Sequence, residues 1–338
     1  MTKIVINGFG RIGRLFFRQV CQREDIEIVA INDLGDINTL AYLLKYDSVY
    51  GRFSGKVEIK DGDLVIDGKK IKYFQEKDPE KLPWGKMEVD IVIEATGFFT
   101  EYNKAKKHLT AGAKRVIITA PGKGEESVEG KTVLMGVNDK DSEGVVITSN
   151  GSCTTNAVSP VMCILKEKIG IEKAILNTIH GYTSTQNIVD GPPKDSKVRR
   201  GRAAAQNIIP STTGAAIAVA KAIPEFENRF DGIALRVPVI AGSVADITFI
   251  AKKNTTVEEV NEVFRKAAKE SKWENIFTVT EDPIVSSDII GEPYGAIVDL
   301  SFTRVVDGNL VKVLSWYDNE FGYVITLIKH MMSVITHR

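Results

Sequence analysis

The sequence predicts an α/β protein of two domains, a parallel sheet covered by helices on both faces and then an α+β domain with a mostly antiparallel or mixed sheet. Three observations predict it. Up to residue 150, short apolar runs alternate with helical patterns across short connections, as strand–helix–strand units do. After "VVITSN" the texture changes to a long helical stretch and then a polar segment rich in Gly, Pro and Arg, residues 181–201. Beyond it come long, adjacent, alternating runs, "GIALRVPVI", "SVADITFIA", "GAIVDLSFTRVV" and "LVKVLSWYD", which pair most simply as a mixed sheet with helices on one face.

The elements follow in order. "KIVIN" reads as a buried strand, Arg11–Arg23 as a helix and "IEIVAIN" as the next strand. "INTLAYLLKY" has helical spacing, while "KVEIK", "LVI" and "KIKYF" are short strands joined by Asp/Gly turns. "VDIVIEAT" and "KRVIIT" are continuous apolar strands flanking "TEYNKAKKHLTAG", a helix that ends as helices do at Gly112. Asn150–Lys168 is a long helix containing Pro160, and Ala174–Ile179 is an apolar run leading into "HGYTSTQ". "TVEEVNEVFRKAAKE" is a capped amphipathic helix, and the last helix, 320–335, is apolar enough to pack back on the first domain. The expected domains are 1–152, completed by 319–338, and 153–318.

At 338 residues the chain is long enough for two cores. Lys plus Arg and Asp plus Glu both number 44, so a broad attraction to nucleic acid or anionic membranes is not expected. Cys21, Cys153 and Cys163 form neither a metal-ligand spacing nor an even disulfide framework, which fits a reducing compartment. The chain opens directly on a strand, without a signal-peptide pattern, and no apolar run reaches membrane-spanning length. A cytoplasmic protein without metal is expected.

"INGFGRIG" places Gly8, Gly10 and Gly13 as G-x-G-x-x-G between a strand and a helix. The first glycine permits the tight turn, the second a close backbone approach to a pyrophosphate, and the third close helix–strand packing. The helix N-terminus then meets the phosphate charge. Asp33, ending "IVAIND", can accept hydrogen bonds from a ribose and repels a 2′-phosphate, which favours NAD over NADP. The first domain is therefore of the Rossmann type.

"SNGSCTTNA" sets Cys153 between small polar residues where an apolar run gives way to a helix. A thiol is only ~3% thiolate at neutral pH, so chemistry requires a helix start or a histidine beside it. Of the four histidines, His108 and His330 lie in helical patterns and His337 in the tail, whereas His180 ends an apolar run and opens a polar loop, as a catalytic base should. Ser152, Thr154, Thr183, Thr185, Thr212 and Thr213 supply hydroxyls, and Arg202 and Arg236 supply guanidinium forks, for an anionic substrate. "KVRRGRAAA" lacks interleaved aromatics and does not make an RNA surface.

Taken together, "INGFGRIGR", "SNGSCTTNA", "HGYTSTQ", "RRGRAAAQNIIPSTTGAA", "LRVP" and "SWYDNEFGY", in that order, resemble the glyceraldehyde-3-phosphate dehydrogenase family over nearly the whole chain. The resemblance implies oxidation of glyceraldehyde 3-phosphate by NAD with uptake of inorganic phosphate. It implies Cys153 as nucleophile and His180 as base and later acid. Thr183, Thr185 and Arg236 would hold the substrate's phosphate, and Ser152, Thr154, Arg202, Thr213 and Gly214 the attacking phosphate. Asn319 would orient the nicotinamide amide, with Arg11, Ile12, Thr96, Gly97 and Thr119 along the cofactor path and Lys77 where an arginine is usual. A homotetramer is implied, with the loop 182–205 across a neighbour's interface. Departures are Gly151 and Gly181 for other small residues, Ala157 for a frequent second cysteine, Ile217 for a common lysine and Gly191 for a leucine beside the cofactor. The nearest rival is an erythrose-4-phosphate dehydrogenase, which shares the cysteine, the histidine and the sugar-phosphate handle.

Overall fold

The computed structural model describes residues 1–193 and 196–336, so His337 and the Lys194 and Asp195 of "DGPPKD" lie outside the described residues. The chain separates into two compact units. The first comprises Met1–Val133, Asp139–Gly151 and the chain from Leu327 onward, and the second comprises Leu134–Asn138 and Ser152–Thr326.

The strands of the first unit are β1 (Thr2–Asn7), β2 (Ile26–Asn32), a two-residue hairpin of β3 (Tyr46–Asp47) and β4 (Gly51–Arg52), β5 (Val57–Lys60), β6 (Asp63–Ile66), β7 (Lys69–Phe74), β8 (Ile91–Glu94), β9 (Arg115–Ile118), β10 (Gly130–Thr132) and β11 (Ile147–Ser149). Its helices are α1 (Arg11–Val20), α2 (Ile37–Lys45) and α3 (Tyr102–Thr110). The nine-stranded sheet runs β10-β11-β9-β8-β1-β2-β7-β6-β5, parallel from β10 to β7, with β6 and β5 added antiparallel at the edge. β8 is buried at every position and β1 at all but Lys3, which explains why these strands read as continuous apolar runs. Val5, Val92 and Val116 from three neighbouring strands pack with Trp84, Tyr102 and Ile118 in one core.

The second unit contains α4 (Cys153–Lys168), β12 (Ile171–Gly181), β13 (Ile209–Thr212), α5 (Ala215–Ala222), β14 (Phe230–Val237), β15 (Ser243–Ala251), α6 (Val257–Ala267), β16 (Phe277–Thr280), β17 (Ala296–Val306) and β18 (Leu310–Tyr317). Its sheet runs β13-β14-β12-β15-β18-β17-β16, with β12/β14 and β16/β17 parallel and the other pairs antiparallel. β15 alternates buried and half-buried residues throughout, the pattern of a strand with one face on a core. α4 packs against β17 and β18, and α6 against β17. The mixed sheet is as expected. β13, β16 and α5 were not foreseen, because four-residue strands and an eight-residue helix are too short to establish a period.

Two helix limits differ from expectation. α1 ends at Val20 with Cys21 as its C-cap, three residues short of Arg23. α4 begins at Cys153, not Asn150, because Gly151 takes φ +63° and Ser152 caps the helix. The last helix, α7 (Phe321–Thr336), is divided between the units at 326/327. Thr326 abuts Gly295 of the second unit, where a Cβ would lie 2.8 Å from its methyl, whereas His330 Nδ1 lies 3.1 Å from Asn150 Oδ1 in the first.

The β1–α1 turn is packed tightly enough to dictate its residues. A Cβ at Gly13 would stand 2.1 Å from the Gly8 carbonyl oxygen, and Gly8 itself has φ +96°. Gly13→Ala should therefore lower stability by about 1–3 kcal/mol. The check is a urea midpoint reduced at unchanged slope.

Candidate active site

In the first unit, the carboxyl ends of β1, β2, β7 and β8 border a cleft of about 390 Å³ whose walls include Gly8, Gly10, Asp33, Lys77, Thr96 and Phe99. Gly10 is the N-cap of α1 and brings no capping side chain, and a Cβ built there meets nothing within 4 Å. The helix N-terminus is thus open to an anion, and bare backbone faces it. Asp33 is held by the Phe9 N–H at 2.6 Å and the Gly35 N–H at 2.8 Å, one to each carboxylate oxygen. These features fit a dinucleotide.

Other expected cofactor residues are placed differently. The Arg11 guanidinium pairs with Asp47 at 2.5 Å and lies over the Tyr50 ring, so its side chain is committed to the β3–β4 hairpin. Ile12 is half-buried on α1, Gly97 is an exposed turn residue with φ +76°, and the Thr119 hydroxyl donates to the Glu94 carbonyl at 3.0 Å. None of these four borders the cleft.

In the second unit Cys153 occupies the first position of α4. Ser152 accepts from the Thr155 N–H at 3.1 Å while the Ser152 N–H donates to Thr155 Oγ1 at 3.1 Å, a reciprocal cap. His180, 3% exposed near the end of β12, places Nε2 3.3 Å from Cys153 Sγ. Its Nδ1 lies 2.6 Å from the Gly181 carbonyl oxygen. The parallel register pairs His180 with Arg236 on β14, whose Nη1 lies 2.8 Å from Nδ1 and donates to the same carbonyl at 3.0 Å.

The electrostatics follow from enclosure. Burial pushes the Cys153 thiol up, opposed by the Arg236 charge and by the Thr154 backbone N–H. Burial, then Arg236, lowers His180 to about 3. Arg236, and not an imidazolium, is therefore the cation that favours the thiolate in this arrangement. The buried Nε–H of Arg236 meets no acceptor among the described residues, a donor that an anionic oxygen would satisfy.

The hydroxyls divide into committed and accessible ones. Ser152 is used in the helix cap, and Thr154 Oγ1 lies 2.8 Å from the buried Tyr317 hydroxyl, which also meets Thr178 Oγ1 at 2.7 Å. Thr183 and Thr185 hydroxyls lie 3.0 Å apart, and the guanidinium beside them is that of Arg200, 3.4 Å from Thr185 Oγ1. Arg202 instead pairs with Asp190 at the surface, at 2.8 Å. Thr213 accepts from the Ala215 N–H at 3.2 Å, and Gly214 is the side-chain-free N-cap of α5.

Asn319 is fixed in orientation. Its Oδ1 accepts from the Gly242 N–H at 3.1 Å and from Ser243 Oγ at 2.9 Å, which leaves the NH2 as the end of the amide that can donate to a ligand. Ser243 also accepts the Gly181 N–H at 3.1 Å, so it ties the histidine strand to the asparagine. Tyr317, Arg200 and Ser243 were missed in the sequence because each acts through strand register or loop closure. The signal available was "SWYDNE" for Tyr317 and "VRRGR" for Arg200.

The N-terminal residues 2–102 match the model of the glyceraldehyde 3-phosphate dehydrogenase NAD-binding domain, and residues 152–319 match that of its C-terminal domain. The chain belongs to the glyceraldehyde 3-phosphate dehydrogenase family. It is 49% identical over 333 residues to the glyceraldehyde-3-phosphate dehydrogenase of Clostridium pasteurianum and 48% identical over 333 residues to that of Clostridium acetobutylicum, with 97% of each chain covered in both cases. As a member of this oxidoreductase family, the protein carries the match to the family's NAD-binding domain within its first unit and the match to the family's C-terminal domain over the bulk of its second.

The Arg236 assignment can be checked directly. Arg236→Leu should move the pH midpoint for alkylation of Cys153 by iodoacetamide upward, and Arg236→Lys should move it less. Superimposable profiles for the three proteins would show that another group supplies the charge.

Proposed function

We propose that the protein oxidises D-glyceraldehyde 3-phosphate with NAD and inorganic phosphate to 1,3-bisphosphoglycerate, within glycolysis or gluconeogenesis. The supporting observation is the 3.3 Å contact of a helix-start cysteine with a buried histidine whose far nitrogen adjoins Arg236.

In this reading Cys153 Sγ adds to the aldehyde carbon while its proton passes by way of His180 Nε2 to the carbonyl oxygen, giving a thiohemiacetal. Nε2 then takes the hydroxyl proton as the C–H bond breaks and a thioester forms. NAD, when bound, supplies the hydride acceptor. A phosphate oxygen next attacks the thioester carbon, and the sulfur leaves, reprotonated from Nε2. Arg236, with Thr183, Thr185 and now Arg200, would bind the substrate's phosphate, and the open N-terminus of α5 at Thr213 and Gly214 would take part in binding the second. Asn319 would donate its NH2 to the nicotinamide carboxamide. Asp33, Gly8, Gly10 and Thr96 would hold the adenosine half, with Lys77 as a point charge at its rim.

The same reading makes NAD the preferred cofactor and a homotetramer the assembly. In its support, the sheet face of the second unit opposite α4 exposes Ile175 by 60% and Ile233 by 52%, a surface suited to a further copy of the chain. Among the described residues no helix is long and apolar enough to cross a membrane, and a cytoplasmic location completes the proposal.

The test is NADH absorbance with glyceraldehyde 3-phosphate or erythrose 4-phosphate, with and without inorganic phosphate. Turnover should require phosphate and favour the three-carbon aldehyde. Cys153→Ser should retain NAD binding and lose nearly all turnover; a tenth of the parent kcat would refute covalent catalysis through this residue.

Asp33→Gly should weaken NAD and improve NADP use relative to it, without full reversal, because no cation replaces the carboxylate. An unchanged ratio of kcat/KM for the two cofactors would remove Asp33 from ribose recognition.

A further inference from the structure

Beneath the cleft of the first unit lies a buried polar network that the reaction does not use. Glu94, the last residue of β8, is 1% exposed, and both its oxygens face donors. Oε1 accepts from the Thr96 N–H at 2.8 Å and from the Thr96 hydroxyl. Oε2 accepts from Asn7 Nδ2 at 2.5 Å and lies 3.1 Å from Nε2 of His108, which is fully buried on α3. Trp84 Nε1, a donor only, lies 3.2 Å from His108 Nδ1. Nδ1 must therefore be the acceptor, and Nε2 carries the proton that points at Glu94.

The network then crosses the sheet. Asn7 Oδ1 accepts from Asn32 Nδ2 at 2.7 Å, and Asn32 clasps the Glu76 backbone at both N–H and C=O, at 2.9 Å each. Asn7, Asn32 and Glu76 border the cleft themselves and precede further wall residues, Gly8, Asp33 and Lys77, while Glu94 lies just before the wall residues Ala95 and Thr96. One carboxylate thus ties together the ends of β1 and β8 directly, and those of β2 and the chain after β7 through Asn7.

We propose that Glu94, oriented by His108, is a positioning residue for nucleotide binding, holding the four strand ends in the spacing that the adenosine half of the cofactor requires. The proposal rests on the reading of this cleft as the dinucleotide site. A glutamine at 94 cannot replace the carboxylate. One way round, its NH2 would face Asn7 Nδ2 and His108 Nε2–H, neither of which can become an acceptor without breaking its bond to Asn32 or Trp84; the other way round, it would face the Thr96 N–H, which can only donate.

The test is calorimetric binding of ADP-ribose and NAD to the full-length protein. Glu94→Gln should weaken both by about tenfold, the scale of one lost charge-assisted hydrogen bond. KM for NAD should rise while kcat changes little. His108→Leu should weaken ADP-ribose similarly, His108→Gln, which keeps a donor, should restore most of it, and the Glu94→Gln/His108→Leu double variant should bind no worse than the weaker single variant. Imidazole 15N shifts in the parent should show His108 protonated at Nε2. If Glu94→Gln fails to fold, the two His108 variants decide. Parent-like ADP-ribose affinity in the folded variants, or His108 protonated at Nδ1, overturns the proposal. Failure of the parent itself to bind ADP-ribose would instead overturn the reading of the cleft.

Discussion

The reciprocal cap between Ser152 and Thr155 fixes where α4 begins, and the chemistry of the second unit depends on that position. With Ser152 as N-cap, Cys153 has to be the first helical residue, where unpaired backbone N–H groups favour a negative sulfur. Gly151, with φ +63°, turns the chain into the cap. A start one residue earlier or later would rotate the cysteine by about 100° around the helix axis and away from His180.

Sheet register supplies the other partners. Parallel pairing of β12 with β14 sets His180 beside Arg236, and antiparallel pairing of β15 with β18 sets Ser243 beside Tyr317. Tyr317 then stacks edge-on against the His180 ring at 5.9 Å and holds Thr154 and Thr178 through its hydroxyl. Because the histidine is enclosed, burial and the Arg236 charge hold it as an uncharged imidazole, and the permanent charge of Arg236 opposes the burial that disfavours a thiolate at Cys153.

The first unit solves a different problem, that of aligning several strand ends at once. Backbone pairing sets strand spacing along the sheet but leaves the chain free once each strand ends. Side chains that bond across the ends, Asn7, Asn32 and Glu94, extend the order into the turns that follow. Gly8 and Gly13 let the β1–α1 turn close without side chains in the way.

The sequence by itself determined the strand–helix alternation of the first unit and the mixed sheet of the second, and it singled out Cys153 and His180, which the fold brings to 3.3 Å. Those features are written in local periodicity, in a glycine spacing and in the rarity of cysteine and histidine. IEIVAIN and SVADITFIA coincide with β2 and β15 because each apolar period is long. Tertiary structure alone decided which polar groups remain available. Ser152, Thr154, Arg11 and Arg202 stand in the sequence as ligand donors; the fold sets them in a helix cap, beside a buried tyrosine hydroxyl and against Asp47 and Asp190, and it brings Arg200 to Thr185. A residue type states what bonds a side chain can make; which bond it makes is settled by what the fold brings within three ångströms or so.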